Sequence, residues 1–237
     1  MSPRQPAPPP EPATASNPGG CLSGFVLPPL AVLCVGAILA FFWLNASLPA
    51  APGALAAGLT GFGGAQAAAP GGTISAIFRP AVQYWNDQLE SWSGEAGLDS
   101  NLVATVMQIE SCGNPQARSQ AGAIGLFQVM PDHFSLDENP YLPDTNAERG
   151  LAYLKRSLQA AGGDVRLALA GYNGGISLIG RPELTWPGET QRYAYWGSGI
   201  YAEASAGASE SLRLDEWLAA GGASLCREAE ASLGLNP

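Results

Sequence analysis

Residues 99–131 read DSNLVATVMQIESCGNPQARSQAGAIGLFQVMP, and the interpretation of the whole chain starts from this stretch. Its first part places three apolar side chains and one acid at i, i+3, i+4 and i+7, on one helical face: Val103, Val106, Met107 and Glu110. Asp99 or Ser100 can cap this helix. Gly113 and Pro115 then stop it after about Ser111.

The position of Glu110 predicts an acid that is hard to ionise. It shares a face with apolar side chains, and it lies at a helix C-terminus, where the macrodipole opposes a negative charge. Both effects disfavour the carboxylate and raise its pKa towards neutrality. A carboxyl protonated at pH 7 is what a general acid needs. The alternative interpretation is an exposed or salt-bridged glutamate at a frayed helix end.

The sequence around this stretch is also helical. Residues 73–237 hold all but one of the 11 Lys and Arg and all but one of the 20 Asp and Glu, so we expect them to form the folded domain. Helical spacing runs through 74–92, with a start near Arg79, and through 145–161, 164–172, 189–204 and 212–232. Short strand pieces are expected only around 122–130. The predicted fold class is therefore mainly α.

The N-terminal third has a different composition. Residues 1–20 are Pro-rich and predict a disordered tail, and residues 49–72 predict an Ala/Gly/Pro linker. Between them, residues 25–48 begin with 20 apolar residues, FVLPPLAVLCVGAILAFFWL, which as a helix would rise about 30 Å. We predict a single-pass transmembrane signal-anchor with an extracytoplasmic domain. A cleaved signal peptide followed by secretion, or a buried core helix, are the alternatives.

Charge and residue counts exclude several functions. The net charge is −9 without any basic run, so we predict no nucleic acid partner. With His133 as the single histidine and no C-x-x-C pair among the four cysteines, a zinc site or a Ser-His-Asp triad is disfavoured. We predict neither a metal nor a cofactor, and the sequence carries no signal for a protein partner.

Four motifs follow one another along the chain: Glu110-Ser111, Ser119-x-x-Gly-Ala-x-Gly-Leu-Phe-Gln128-x-Met130-Pro, Tyr172-Asn173, and Glu189-Thr-x-x-Tyr193. In this order and spacing they resemble the soluble lytic transglycosylase (SLT) family, relatives of goose-type lysozyme, over about residues 95–200. The resemblance implies a lysozyme-like fold and a substrate in the glycan strands of peptidoglycan.

The reaction that the resemblance implies is cleavage of the β-1,4 bond between N-acetylmuramic acid and N-acetylglucosamine. Glu110 would protonate the glycosidic oxygen and then, as a base, remove the proton of the muramyl 6-hydroxyl, giving a 1,6-anhydro product. This belongs to the substrate-assisted exceptions to the two-carboxylate rule. A muramidase that lets water attack, with a second carboxylate, and a catalytically silent glycan-binding module are the alternatives. Candidates for that second carboxylate are Glu189, Asp132, Asp137 and Glu138.

The resemblance also implies seven substrate-binding residues: Ser119, Gln128, Met130, Tyr172, Asn173, Glu189 and Tyr193. Ser119 and Gln128 would bind sugar or its acetamido group, and Tyr172 would hydrogen-bond near Glu110. The others would line or complete the cleft. For each of the seven, ordinary packing or turn formation is the alternative.

The chain departs from the family pattern at two places. It has Tyr-Asn-Gly-Gly-Ile from Tyr172 onward where family members commonly have Tyr-Asn-Ala-Gly-Pro. It also has His133-Phe134 near a position that is commonly small, and we expect His133 to be a loop or cleft-wall residue. Cys112 and Cys226 lie beyond the apolar run, where the surroundings are oxidising, and we predict a disulfide between them.

Overall fold

The structure, a computed structural model, describes residues 72–235. The predicted tail (1–20), the predicted transmembrane segment (25–48) and the predicted linker up to residue 71 lie outside the described residues. Between residues 72 and 235, no helix is both long enough and apolar enough to span a bilayer.

Helices make up most of the described residues. The α-helices are α1 (Pro80–Gln83), α2 (Asn86–Ala96), α3 (Ser100–Glu110), α4 (Pro143–Ala160), α5 (Val165–Gly174), α6 (Gly188–Ser205), α7 (Leu212–Trp217) and α8 (Ala223–Ser232). Short 3-10 helices span Pro131–His133, Ile176–Leu178 and Glu183–Thr185. Strand pairing within 72–235 is limited to isolated bridge residues, which include the antiparallel pairs Arg118 with Ile124 and Ile124 with Val129. The predicted mainly α fold is confirmed for this part of the chain.

Helix α3 is the central helix of the domain. The side chain of Asp99 accepts a hydrogen bond from the backbone N–H of Leu102, as the predicted N-cap requires. Residues 102–108 are all buried, and α3 packs against α2 and α6. Burying a Leu, Val or Met side chain is worth about 1.5–3 kcal/mol, so this packing fixes the helix firmly. Its last residue, Glu110, is thereby held at a defined place in the domain.

Two helices predicted as continuous are interrupted. The pattern over 74–92 divides into α1 and α2 at Tyr84-Trp85, where the indole Nε1 of Trp85 donates to the carbonyl of Gly113, 2.9 Å away. The pattern over 212–232 contains a π-helical turn, Leu218–Gly222, with a kink at Gly221, whose φ is +129°. A Cβ on Gly222 would lie 2.4 Å from the ring of Trp217, so the close ring contact requires glycine there.

The predicted disulfide between Cys112 and Cys226 is confirmed, with 5.0 Å between their Cα atoms. It joins the loop after α3 to α8. The buried side chain of Gln108 lies at this junction: its Nε2 donates to both sulfurs, at 3.0 and 3.3 Å, and its Oε1 accepts from the backbone N–H of Arg79. The C-terminal end of α3 is therefore fastened to both ends of the described chain.

Candidate active site

Glu110 is the last residue of α3 and its carboxyl is largely withdrawn from water. Burial raises the pKa of this carboxyl to about 8, because the charged form loses hydration. The hydrogen bond from Tyr193 lowers the pKa of Glu110, and the nearby negative charge of Glu189 raises it. Burial is the largest of these effects, so the carboxyl is mostly protonated at pH 7.

Two tyrosines lie near the Glu110 carboxyl. The hydroxyl of Tyr193, in α6, donates to Oε1 of Glu110 at 2.8 Å, whereas the hydroxyl of Tyr172, in α5, donates to the carbonyl of Phe127 at 2.8 Å. Burial, followed by the charge of Glu110, raises the pKa of each phenol well above its usual range, so both remain neutral donors. The hydroxyl that reaches Glu110 is thus that of Tyr193, whereas Tyr172 fixes the neighbouring loop.

The second carboxyl oxygen of Glu110 is free for a substrate. Among residues 72–235, Oε1 receives the Tyr193 hydroxyl while no protein group hydrogen-bonds to Oε2. The buried side-chain atoms of this region that lack a hydrogen-bond partner are Nε of Arg79, Nε of Arg213 and Oε1 of Glu230. Oε2 of Glu110 also lacks a partner and is not one of these buried atoms, so it keeps contact with solvent. A carboxyl held through one oxygen and open at the other has the geometry of a proton donor.

The residue after Glu110 fixes the end of α3. The hydroxyl of Ser111, which is fully buried, donates to the carbonyl of Leu126 at 2.7 Å and accepts from the backbone N–H of Gly113 at 3.1 Å. These bonds attach the helix end to the loop 117–130. The Glu110 backbone therefore cannot shift without displacing that loop.

Asn146, fully buried in α4, holds the same loop from the other side. Its Nδ2 donates to the carbonyl of Ile124 at 2.8 Å, and its Oδ1 accepts from the backbone N–H of Phe127 at 2.9 Å. Gly125 has φ +76°, and a Cβ on it would lie 2.5 Å from Nδ2 of Asn146, so this position requires glycine. Gln128 follows with φ +46°, and its side chain donates to the carbonyl of Gly125.

A cavity of about 160 Å³ is formed by this loop together with α4 and α5. Its lining is Gln128, Val129, Met130, His133, Gly150, Tyr153, Tyr172, Asn173 and Gly175. Four of the seven residues predicted to bind substrate are among them. Glu110 is not itself among these lining residues, but, in addition to burial, its charge raises the pKa of the phenol of Tyr172, which is one of them.

The other three predicted residues lie elsewhere. The hydroxyl of Ser119 accepts from the backbone N–H of Ala123, and so closes a turn outside the cavity lining. Glu189 is exposed in the first turn of α6, and of the four candidate second carboxylates it alone acts on the pKa of Glu110. Glu138 is instead paired with Arg149. Tyr193 is buried and contacts Glu110 itself.

Sequence reasoning did not assign Tyr153 and Gly150 to the site. Tyr153 lies in the segment 145–161, for which the sequence predicts only a helix. Gly150 lies inside α4, and a Cβ on it would be 2.6 Å from Cβ of Phe127 and 3.3 Å from the Tyr172 hydroxyl. A glycine inside a helix is a signal of close packing that could have indicated this position.

A larger cavity, of about 690 Å³, lies between α2 and α4. Its lining includes Trp92, Asp144 and Lys155, and none of the predicted site residues. Of these two cavities, the smaller one is the one lined by predicted site residues.

Comparisons with known proteins identify the part of the chain that holds this site. Residues 87–189 match the Transglycosylase SLT domain family. A transglycosylase of Enterobacteria phage PRD1 is 39% identical over 115 residues, covering 48% of this chain and 41% of that protein. A membrane-bound lytic murein transglycosylase E of Buchnera aphidicola is 30% identical over 86 residues, covering 31% of this chain and 39% of that protein.

Among solved structures, an inactive mutant of the lytic transglycosylase Slt from Pseudomonas aeruginosa is similar to this chain at 25% identity. The match has a TM-score of 0.44 and covers 52% of this chain and 24% of that chain. The chain spans about two fifths of the length of the two curated relatives described above. Residues 87–189, which match the Transglycosylase SLT domain family, hold Glu110 and the whole lining of the smaller cavity.

Proposed function

We propose that this chain is a lytic transglycosylase that cleaves the β-1,4 bond between N-acetylmuramic acid and N-acetylglucosamine in peptidoglycan. The observation that carries the proposal is the carboxyl of Glu110, with a pKa of about 8, beside a cavity in a Transglycosylase SLT domain. The names of the two relatives, a transglycosylase and a lytic murein transglycosylase, support the same reaction class.

In the first step Glu110 acts as an acid. Its proton passes to the glycosidic oxygen as the bond from that oxygen to the muramyl anomeric carbon breaks. The acetamido group of the substrate stabilises the positive charge that develops at the anomeric carbon. Because Oε1 is held by the Tyr193 hydroxyl, the open Oε2 is the oxygen that would carry the proton.

In the second step Glu110 acts as a base. The carboxylate left by the first step takes the proton of the muramyl 6-hydroxyl, whose oxygen bonds to the anomeric carbon and closes the 1,6-anhydro ring. A pKa near neutrality suits both directions of proton transfer. The hydrogen bond from Tyr193 stabilises the charged form between the steps, so the carboxylate remains oriented until it is protonated again.

The cavity residues would hold the sugar next to this carboxyl. Gln128, Met130 and Tyr172 lie on its wall, and Asn173 is oriented through Oδ1, which accepts from the hydroxyl of Thr190 at 2.8 Å. Met130 is 40% exposed and supplies an apolar contact at the opening. Gln128, Tyr172 and Asn173 are already held by hydrogen bonds within the protein, so this part of the wall is preformed for sugar recognition.

The proposed location is outside the cytoplasmic membrane, with residues 25–48 as a single-pass anchor; a secreted form after cleavage is the alternative. Three observations support it: the uncharged apolar run in this segment, the disulfide between Cys112 and Cys226, and the description of the Buchnera relative as membrane-bound. Disulfides persist in oxidising surroundings, which lie outside the cytoplasm.

Mass spectrometry of fragments released from purified sacculi tests the reaction. We expect soluble muropeptides with 1,6-anhydromuramyl ends from the wild-type chain and none from Glu110→Gln. Fragments with reducing ends would instead identify a muramidase. Lysis that is equal for wild type and Glu110→Gln would contradict the role of Glu110, and lack of release by the wild type would favour a silent glycan-binding module.

A further inference from the structure

Three rings extend outward from the vicinity of Glu110, and we call Tyr172, Tyr153 and His133 the aromatic wall. The rings of Tyr172 and Tyr153 meet edge to face with centroids 5.7 Å apart, and those of Tyr153 and His133 are 5.2 Å apart. All three residues line the cavity of about 160 Å³. The wall therefore leads from the catalytic carboxyl to an outer end at His133.

Arg156 stands over Tyr153, the middle ring of the aromatic wall and the neighbour of His133. It follows Tyr153 by three residues on α4, and its guanidinium carbon lies 5.2 Å from the centroid of the Tyr153 ring. Both Arg156 and His133 are exposed. A cation over an aromatic face is held there by the ring quadrupole, while its N–H groups stay available to a ligand.

The cavity lining along the wall carries no negative charge, although the exposed Asp132 precedes His133 at the outer end. None of the nine residues that line the cavity is Asp or Glu, although the chain carries a net charge of −9. Within residues 72–235, Arg149 and Arg166 form salt bridges with carboxylates. No carboxylate of this region forms a salt bridge with Arg156. Arg156 and His133 thus offer donors that the described protein does not use.

We infer that the outer end of the aromatic wall is a subsite for a carboxylate borne by the glycan, bound by Arg156 and His133. The planar guanidinium can take a carboxylate through two parallel hydrogen bonds, and the imidazole adds a further N–H donor. The inference rests on the proposed function for the nature of the polymer. Two sources supply this group: the lactyl carboxylate of a muramyl residue without peptide, and the carboxylates of a peptide stem.

Equilibrium binding to the full chain tests the subsite, with Glu110→Gln as the background so that the ligands are not consumed. The ligands are neutral N-acetylglucosamine oligomers, glycan strands with free lactyl carboxylates, and the same strands with peptide stems. We expect Arg156→Gln and His133→Gln each to raise the Kd for carboxylated strands about five- to tenfold, and to leave the Kd for the neutral oligomers unchanged.

Lys155→Gln is the matched control, because it removes one positive charge from the adjacent position on α4. Its ammonium donates to the carbonyl of Ala96 and lines the separate cavity between α2 and α4. We expect no change in any Kd for this variant. Arg156→Lys keeps the charge and should retain most of the preference, which separates loss of the subsite from loss of the fold.

The outcomes distinguish this inference from the proposed function. An effect on lactyl strands alone, or on stem-bearing strands alone, supports the subsite and identifies the source of the carboxylate. Equal weakening for neutral and carboxylated ligands, or no weakening for either, overturns the subsite. Neither of these results changes the assignment of Glu110, which depends on the products that the wild-type chain releases from sacculi.

Discussion

The hydroxyl of Tyr193 donates a hydrogen bond of 2.8 Å to Oε1 of Glu110, which lies 83 residues earlier in the chain. This bond opposes the burial that raises the pKa of the carboxyl to about 8. It also gives the carboxyl one fixed oxygen and one open oxygen. The contact between α6 and the end of α3 therefore orients the candidate catalytic group and lowers its pKa against the larger effect of burial.

Replacing Tyr193 with phenylalanine should lower kcat about ten- to hundredfold, because a hydrogen bond to a charged group is worth about 1.5–3 kcal/mol. The pKa of Glu110 should rise further, because a bond that lowers it is removed. Tyr195→Phe is the control on the same helix, since the exposed Tyr195 hydroxyl donates to Glu216 instead. Equal kcat values for the two variants would contradict a role for the Tyr193 hydroxyl.

Glu110→Gln should stabilise the fold at alkaline pH. The folded-state pKa is raised, so between pH 4.5 and 8 the folded chain binds the proton more tightly than the unfolded chain does, and the stability of the wild type falls as pH rises through this window. At one pKa unit per 1.36 kcal/mol, the gain of Glu110→Gln at pH 8.5 should be roughly 4–5 kcal/mol, and it should be close to zero at pH 4.

Urea unfolding at pH 4 and pH 8.5 measures this difference. Glu90→Gln, an exposed acid in α2, is the control and should show no pH-dependent gain. If the difference in unfolding free energy between Glu110→Gln and the wild type were the same at both pH values, the carboxyl would not be buried as described.

Removing the disulfide should weaken the attachment of α8 to the end of α3. Cys112 and Cys226 are separated by 114 residues in the sequence, and a disulfide that closes a loop of this size restricts the unfolded chain. We expect Cys226→Ser to lose about 2–4 kcal/mol of unfolding free energy. A reductant should lower the Tm of the wild type and leave that of Cys226→Ser unchanged; an equal shift in both would contradict the link.

Gly150→Ala should damage the site through packing. The new Cβ would lie 2.6 Å from Cβ of Phe127 and 3.3 Å from the Tyr172 hydroxyl, so the aromatic wall must shift, at about 1–3 kcal/mol. Activity on sacculi should fall along with the Tm. Gly94→Ala is the control, because nothing lies within 4 Å of its added Cβ, and it should stabilise α2 by about 0.5–1 kcal/mol. If the two variants behaved alike, the close contact at Gly150 would be refuted.

The local features of the site could be predicted from the sequence, and the long-range ones could not. The helix that ends at Glu110, its cap at Asp99 and the raised pKa all follow from spacing within a dozen residues. The bond from Tyr193 leaves no local signal, because it depends on how α6 packs against α3. The family motifs nevertheless included Tyr193, although they assigned the hydroxyl near Glu110 to Tyr172.

The interruption at Tyr84-Trp85 shows the same limit. The apolar spacing over 74–92 is that of one helix, yet the indole of Trp85 binds the carbonyl of Gly113, 28 residues later, and the helix divides there. Periodicity reports which face is buried and carries no information about such a contact. Tyr153 was left out of the predicted site for the same reason, because its place on the cavity wall depends on Tyr172 and His133.

Burial holds Glu110 protonated at neutral pH, and the proposed reaction depends on this proton. The most direct test is a ¹³C NMR titration of the glutamate side-chain carboxyl carbons, with the Glu110 resonance assigned by its loss in Glu110→Gln. The structure predicts a midpoint of about 8 for this resonance. A midpoint at the ordinary value of about 4.5 would contradict the claim, because a carboxylate already ionised at neutral pH has no proton to give to the glycosidic oxygen.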